Sequence, residues 1–245
     1  MTTAAITSLD TLAERFPKHA VDVIQALDDR IARCASEVKQ SPMWHTLVNP
    51  STSNDAVAKI VREIFRTIAV YQPRTAEAGF LMVGRLPKGD LELLRALVGH
   101  RVEEGEHGLW AAEDFEALGG RRDELRQPPS PACLAVAAVW AYMADHEDPF
   151  AYLGGEYLFE MLTPLITADA MAEFERRRLP MKPLRFIVEH ATEDIKHSNM
   201  FKIVICQYLT RYPEAAPAVL RGFDYFKHVY PLPVWQEALD RALLP

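Results

Sequence analysis

Apolar residues along most of the chain recur every three or four positions, the period of one face of an α-helix. Between 19 and 40 the repeat is Val21, Ile24, Leu27, Ile31, Cys34 and Val38, and Ser41-Pro42 ends it. A second repeat starts at Asp55 with Val57, Ile60, Val61, Ile64, Phe65 and Ile68, and Pro73 is expected to kink or end that helix. A short helix is predicted for 75–86, stopped by Pro87. Another is predicted from Asp90, acting as N-cap, to Leu118, before Gly119-Gly120. The segment 121–131, with three prolines and five charges, reads as a loop. Helices are then predicted for 132–146, from Asp148-Pro149 to 166, from Asp169 to 178, and for 184–212. Pro180 and Pro183 mark a break before the last of these. The tail, 217–244, reads as helix broken by Pro231 and Pro233. No period-2 alternation bounded by turn residues is found. The pattern predicts an all-α protein with residues 1–245 in one domain of about seven to nine helices.

Composition narrows what such a protein can do. At 245 residues, with 49% hydrophobic and 25% charged, there is enough apolar surface for a core, so disorder is excluded as the main state. A net charge of −7 argues against a binder of nucleic-acid backbones. The run Arg176, Arg177 and Arg178 lies beside Glu173 and Glu175 and reads as a solvated helix end. Three scattered cysteines, Cys34, Cys133 and Cys206, fit neither a disulfide framework nor a zinc ribbon, and suit buried thiols in a reducing compartment. The N-terminus lacks a signal-peptide pattern and no stretch approaches 18 uncharged apolar residues. The expectation is a cytoplasmic protein with a small-molecule substrate and neither a membrane nor a nucleic-acid partner. For assembly only the base rate speaks, and it favours a homodimer.

Ionisable residues inside apolar helices are the informative ones, because burying them unpaired is costly. Three segments carry them. In the first, Glu104 and His107 lie three apart on one helix face, with His100 a turn earlier and Glu103 to one side. In the second, Glu156 and Glu160 lie four apart among aromatic and aliphatic neighbours. In the third, His190, Asp194 and His197 occupy i, i+4 and i+7, one stripe along two turns. Imidazoles and carboxylates without cysteine suit non-haem iron or manganese. The pooled six, Glu104, His107, Glu160 (or Glu156), His190, Asp194 and His197, exceed the needs of one ion with open positions, and two carboxylate-bridged ions are the simpler account. A ferritin-like bundle would use Glu63, Glu104, His107, Glu160, Asp194 and His197, which leaves His190 unused.

A helix with Glu-x-x-His, a second with Glu, and a third with His-x-x-x-Asp-x-x-His resembles the haem-oxygenase-like diiron oxidases and oxygenases. Here Glu104 and His107, then Glu160 within Tyr-Leu-Phe-Glu, then His190, Asp194 and His197 match that order over about 90–212. The resemblance implies a core of seven helices, two ferrous ions per chain as cofactor, and dioxygen as co-substrate. It also implies a natural-product setting and a small amino-acid-like or fatty-acid-like carboxylate, altered by oxidative C–C cleavage or rearrangement. N-oxygenating members tend to carry an additional Glu on an earlier helix, for which Glu77 and Glu63 are the candidates. Tyr157, Phe159, Met161 and Trp110 are candidates for the substrate pocket, and Lys196 and Arg185 for holding a substrate carboxylate. The alternatives are a metal-free enzyme on this scaffold, similar to the thiaminase-like or pyrroloquinoline-quinone-forming branches, a ferritin-like metal-binding protein, and a haem oxygenase proper using His19 or His45.

Overall fold

The computed structural model describes residues 6–179 and 184–244. In chain order the helices are α1 Leu9–Ala13, α2 Lys18–Lys39, α3 Pro42–Val48, α4 Asn54–Arg85, α5 Leu91–Glu104 and α6 His107–Ala117. They continue with α7 Pro131–His146, α8 Ala151–Arg176, α9 Arg185–Arg211, α10 Ala216–Lys227 and α11 Leu232–Leu243. The described residues hold no strand. None of their helices is long and apolar enough to cross a membrane.

Local chemistry explains most of the boundaries. Ser41 accepts the Trp44 N–H and Pro42 fills the first turn, so the dipeptide that ends α2 also starts α3, a helix the periodicity did not predict. Ser53 and Ser130 cap α4 and α7 in the same way. Asp90 stands at the N-cap position of α5 without capping it, because its carboxylate pairs with Arg211. The backbone N–H groups of Arg185 and Phe186 at the start of α9 donate instead to the Asp114 carboxylate of α6 (3.0 and 2.8 Å). The break assigned to Pro180 and Pro183 lies outside the described residues.

Two prolines fail to stop their helices. The helix through Pro73 is continuous, so the segment predicted for 75–86 is the second half of α4. The Pro73 ring lies against Gly108 of α6, where an added Cβ would sit 3.1 Å from Pro73 Cδ. Pro164 likewise lies inside α8, which fuses the two helices predicted on either side of 167–168. In the other direction, the helix predicted from 90 to 118 is two. Gly105 closes α5 with a tight three-residue bond to the Val102 carbonyl, and α6 restarts at His107.

α8 is the central helix, packed between α9, α10 and α2, while α4 packs against α6, α7 and α11. Trp140, Tyr152, Phe201, Phe223 and Phe226 are fully buried in the resulting core. The α8–α10 contact is a backbone contact. A Cβ on Gly154 would land on the Val219 carbonyl oxygen, and one on Gly222 on the Ala151 carbonyl. Because backbone has nowhere to move, Gly154→Ala is expected to cost about 3 kcal/mol, measured as a lowered urea midpoint with an unchanged slope.

Candidate metal centre

Four helices deliver buried polar side chains to one point. α5 brings His100, Arg101 and Glu104, and the first residue of α6 brings His107. α8 brings Glu156 and Glu160, and α9 brings His190, Asp194 and His197. The α5–α6 break falls between Glu104 and His107, yet Gly105 and Glu106 keep right-handed helical angles. The pair therefore still faces the same way, with Glu104 Oε2 at 2.8 Å from His107 Nδ1.

Donor atoms gather in two groups that share Glu104. One contains Glu104, His107 and His190, and the other His100, Glu104, Glu160 and His197. In the first, His190 Nε2 lies 3.0 Å from His107 Nδ1. In the second, His197 Nδ1 lies 3.2 Å from Glu160 Oε2 and 3.8 Å from Glu104 Oε1. Asp194 lines the same cavity as Glu104, Glu160 and His190, and its buried Oδ1 has no hydrogen-bond partner. A carboxylate oxygen buried without a donor is costly unless a cation or proton meets it. The donor set, imidazole and carboxylate without thiolate, fits iron or manganese and not a structural zinc site.

Pro164 fixes the position of one donor. A proline has no N–H to give the carbonyl four residues earlier, here that of Glu160. Ser198 Oγ of α9 donates to it instead, at 2.8 Å. The helix defect thus ties α8 to α9 beside the carboxylate.

The charges at the site are strongly coupled. Burial pushes Asp194 well above the usual carboxylate range, and Glu160 and Glu104 push it further. Burial also works against ionised Glu160, but His100 and His197 outweigh it and hold that carboxyl well below its ordinary value. His197 resists burial because Glu160, Glu103 and Glu104 surround it, and it is pushed up to about 9. His190 falls to about 4 through burial and the neighbouring His107.

A cavity of about 140 Å³ opens directly on these groups. Glu104, Glu160, His190 and Asp194 form its polar end, and Trp44, Leu47, Phe65, Ile166, Phe174 and Trp235 are among its apolar walls. Phe159 also lines it.

Several candidates from the sequence lie elsewhere. Glu63 is buried on another face of α4 and held by Arg62, Arg66 and Arg241 (3.1, 3.5 and 3.2 Å), which removes the fourth carboxylate of the ferritin-like pattern. Glu77 is exposed and paired with Arg74. Glu156 is buried but turned to Arg101 at 2.7 Å. Glu103 is exposed and accepts from His197 Nε2 at 3.0 Å, outside the donor cluster. Tyr157 points away, donating to Asp28 at 2.5 Å. Met161 is buried outside the cavity. Lys196 is exposed and paired with Glu193, and Arg185 covers the Trp110 ring at 4.1 Å. Trp110 packs tilted against His107 (4.6 Å between centroids, 38° between ring planes) and does not line the cavity.

Two residues went unread. Gln72 of α4 donates to Glu104 Oε2 at 3.2 Å and is steadied by Thr75. It is the α4 side chain that reaches Glu104, and it is not a carboxylate. Arg101 is fully buried beside Glu156 and His100. Its place next to His100 was its only signal, in a helix that carries several other charges.

The comparisons with known proteins agree with this geometry. A search of the curated proteins finds no match. Among solved structures, a domain of unknown function with a heme oxygenase-like fold from Shewanella denitrificans OS217 superposes with a TM-score of 0.75 at 19% identity, covering 89% of this chain and 92% of that one. A TenA homolog from Pseudomonas syringae pv. tomato DC3000 superposes with a TM-score of 0.64 at 14% identity, covering 98% and 99%. At such identities the likeness establishes the heme oxygenase-like fold. The sequence model of the iron-containing redox enzymes matches residues 62–229, a span that contains every donor in the cluster. With most of its length matched and its buried imidazoles and carboxylates inside the match, the chain belongs to the family of iron-containing redox enzymes.

Proposed function

We propose that the protein is a dinuclear, non-haem iron oxidase or oxygenase that uses dioxygen on a small carboxylate carrying an apolar chain. The observation that carries the reading is the pair of donor groups sharing Glu104, with the orphaned oxygen of Asp194 beside them. Glu104, His107 and His190 would hold one ion, and Glu104, Glu160 and His197 the other, with Asp194 adjoining. Ferrous ions there would supply electrons for reducing dioxygen and a Lewis-acidic anchor for the substrate carboxylate.

The chain's own residues do the rest. The apolar walls exclude water and suit an alkyl chain better than the polar body of an amino acid. Among the described residues Arg101 is the one Lys or Arg lining the cavity, and it is already paired with Glu156, so none of them offers a free cation to the head group. Tyr71 and Tyr230 line the wall, and burial raises both hydroxyls well above their ordinary range, so both stay protonated. The expected outcome is oxidative C–C cleavage or rearrangement, within a natural-product pathway. The three cysteines are free and buried, which suits the reducing cytoplasm. They lend little to a metal-free, thiol-based reading, because Cys133 Sγ donates to the Thr67 carbonyl and burial raises its thiol.

The test is anaerobic ferrous titration followed by rapid mixing with oxygen. Uptake of about two equivalents with an oxygen-dependent transient visible band is expected. Carboxylates of graded chain length should then change its decay. No iron uptake would sink the reading.

A further inference from the structure

We propose that His100, although it stands among the donors, is not a metal ligand but the positioning residue for Glu160, held in that role by Arg101. The inference rests on the metal reading above. It turns on which ring nitrogen each histidine has free.

Two of the imidazoles have an outward nitrogen that donates. His190 Nδ1 faces the Phe186 carbonyl at 2.6 Å, and His197 Nε2 faces Glu103 at 3.0 Å. With one N–H spent outward, the inward nitrogen is free to give up any proton and offer its lone pair to a metal, the usual arrangement of a ligating histidine. His100 is wired the other way. A guanidinium has donors and no acceptor. Arg101 Nη2 carries two hydrogens and gives one to Glu156 Oε2 (2.7 Å) and the other to His100 Nδ1 (2.8 Å). Nδ1 must therefore offer its lone pair, and the neutral ring carries its proton on Nε2. That N–H donates to Glu160 Oε1 at 2.9 Å. Because the guanidinium holds Nδ1 as an acceptor, the Nε2 proton has no other ring nitrogen to move to, and Nε2 cannot ligate while it stays.

The wiring is rigid. Arg101 is fully buried, lies 5.7 Å from the Tyr152 ring centroid, and passes over Gly79, where a Cβ would come within 2.9 Å of its Cδ. The His100 ring is boxed edge to face by Phe201 and His197. Flipping it would set a carbon against the guanidinium and strand a buried donor. With Oε1 of Glu160 thus occupied, Oε2 is left facing His197 Nδ1.

Cobalt(II) titration, read by the visible ligand-field bands, tests this without relying on turnover. His100→Gln keeps an N–H within reach of Glu160 and is expected to bind two cobalt ions with the parent spectrum. His100→Leu removes the donor and is expected to lower the affinity for one ion by about 10–100-fold, as loss of a partner that orients a ligand does. His107→Ala serves as the ligand control and loses an ion. If His100→Gln loses an ion and its bands as His107→Ala does, His100 is a ligand and the proposal is wrong. Parent affinity in a folded His100→Leu would also overturn it. Should that variant not fold, the comparison of His100→Gln with His107→Ala still decides. Failure of the parent protein to bind any metal would instead bring down the functional reading itself.

Discussion

The Glu104→Ala variant is expected to bind neither ferrous ion, whereas His107→Ala keeps one. Glu104 is the only side chain common to both donor groups. Its Oε2 lies 2.8 Å from His107 Nδ1, and its Oε1 faces His197 Nδ1 at 3.8 Å. Losing a residue that merely orients a ligand costs about 10–100-fold in affinity, so losing a ligand to both ions should cost more than that on each side. Oxygen consumption should vanish with the metal. The fold should survive at a price of about 1–3 kcal/mol, because Gln72 loses its buried acceptor. Ferrous titration with circular dichroism as the folding control checks both halves. One ion bound at parent affinity in Glu104→Ala would mean that the two groups are independent and that Glu104 bridges nothing.

How much of this could be read beforehand depends on whether a residue's role is set by its own helix or by its neighbours. The stripe His190, Asp194 and His197 lies on an unbroken helix, so spacing alone placed the three on one face. Choosing Glu160 over Glu156 needed the tertiary structure, because both face inward and only the partner differs: His100 and His197 for one, Arg101 for the other. Glu63 is buried as a ligand would be, but the arginines that surround it include Arg241, distant in the chain. Helix ends were misread where a partner overrode propensity. Pro73, expected to kink or end its helix, packs against Gly108 in a continuous α4, and the Asp169 start falls inside α8. Arg101 went unread because an arginine in a helix that already holds Arg95, Glu92 and Glu103 is ordinary until burial shows that it has no water to face.

The second large effect is a pH dependence with opposite signs for the metal-free fold and for metal uptake. In the metal-free protein His197 is pushed up to about 9 from an ordinary 6.5, against burial, by Glu160, Glu103 and Glu104. A raised folded-state pKa gives stability that is complete below 6.5 and lost as pH rises through about 9. Asp194, raised well above 3.8 chiefly by burial, works in the same direction, and so does Glu156, raised from 4.5 to about 8. Glu160 and Glu104 are held low, so their contribution disappears only on acidification below about 4.5 and offsets nothing near neutrality. His190, at about 4, is neutral throughout. The melting temperature of the metal-free protein should therefore fall from pH 6.5 to 8.5, each group contributing at most about 1.4 kcal/mol per pH unit. Metal must displace the protons from His197 and Asp194, so ferrous affinity should rise over the same range by about tenfold per pH unit for each proton released. Melting curves with and without metal across that range measure both trends. A metal-induced stabilisation that stays constant or shrinks as pH rises would show that His197 and Asp194 are not the groups the ions displace protons from.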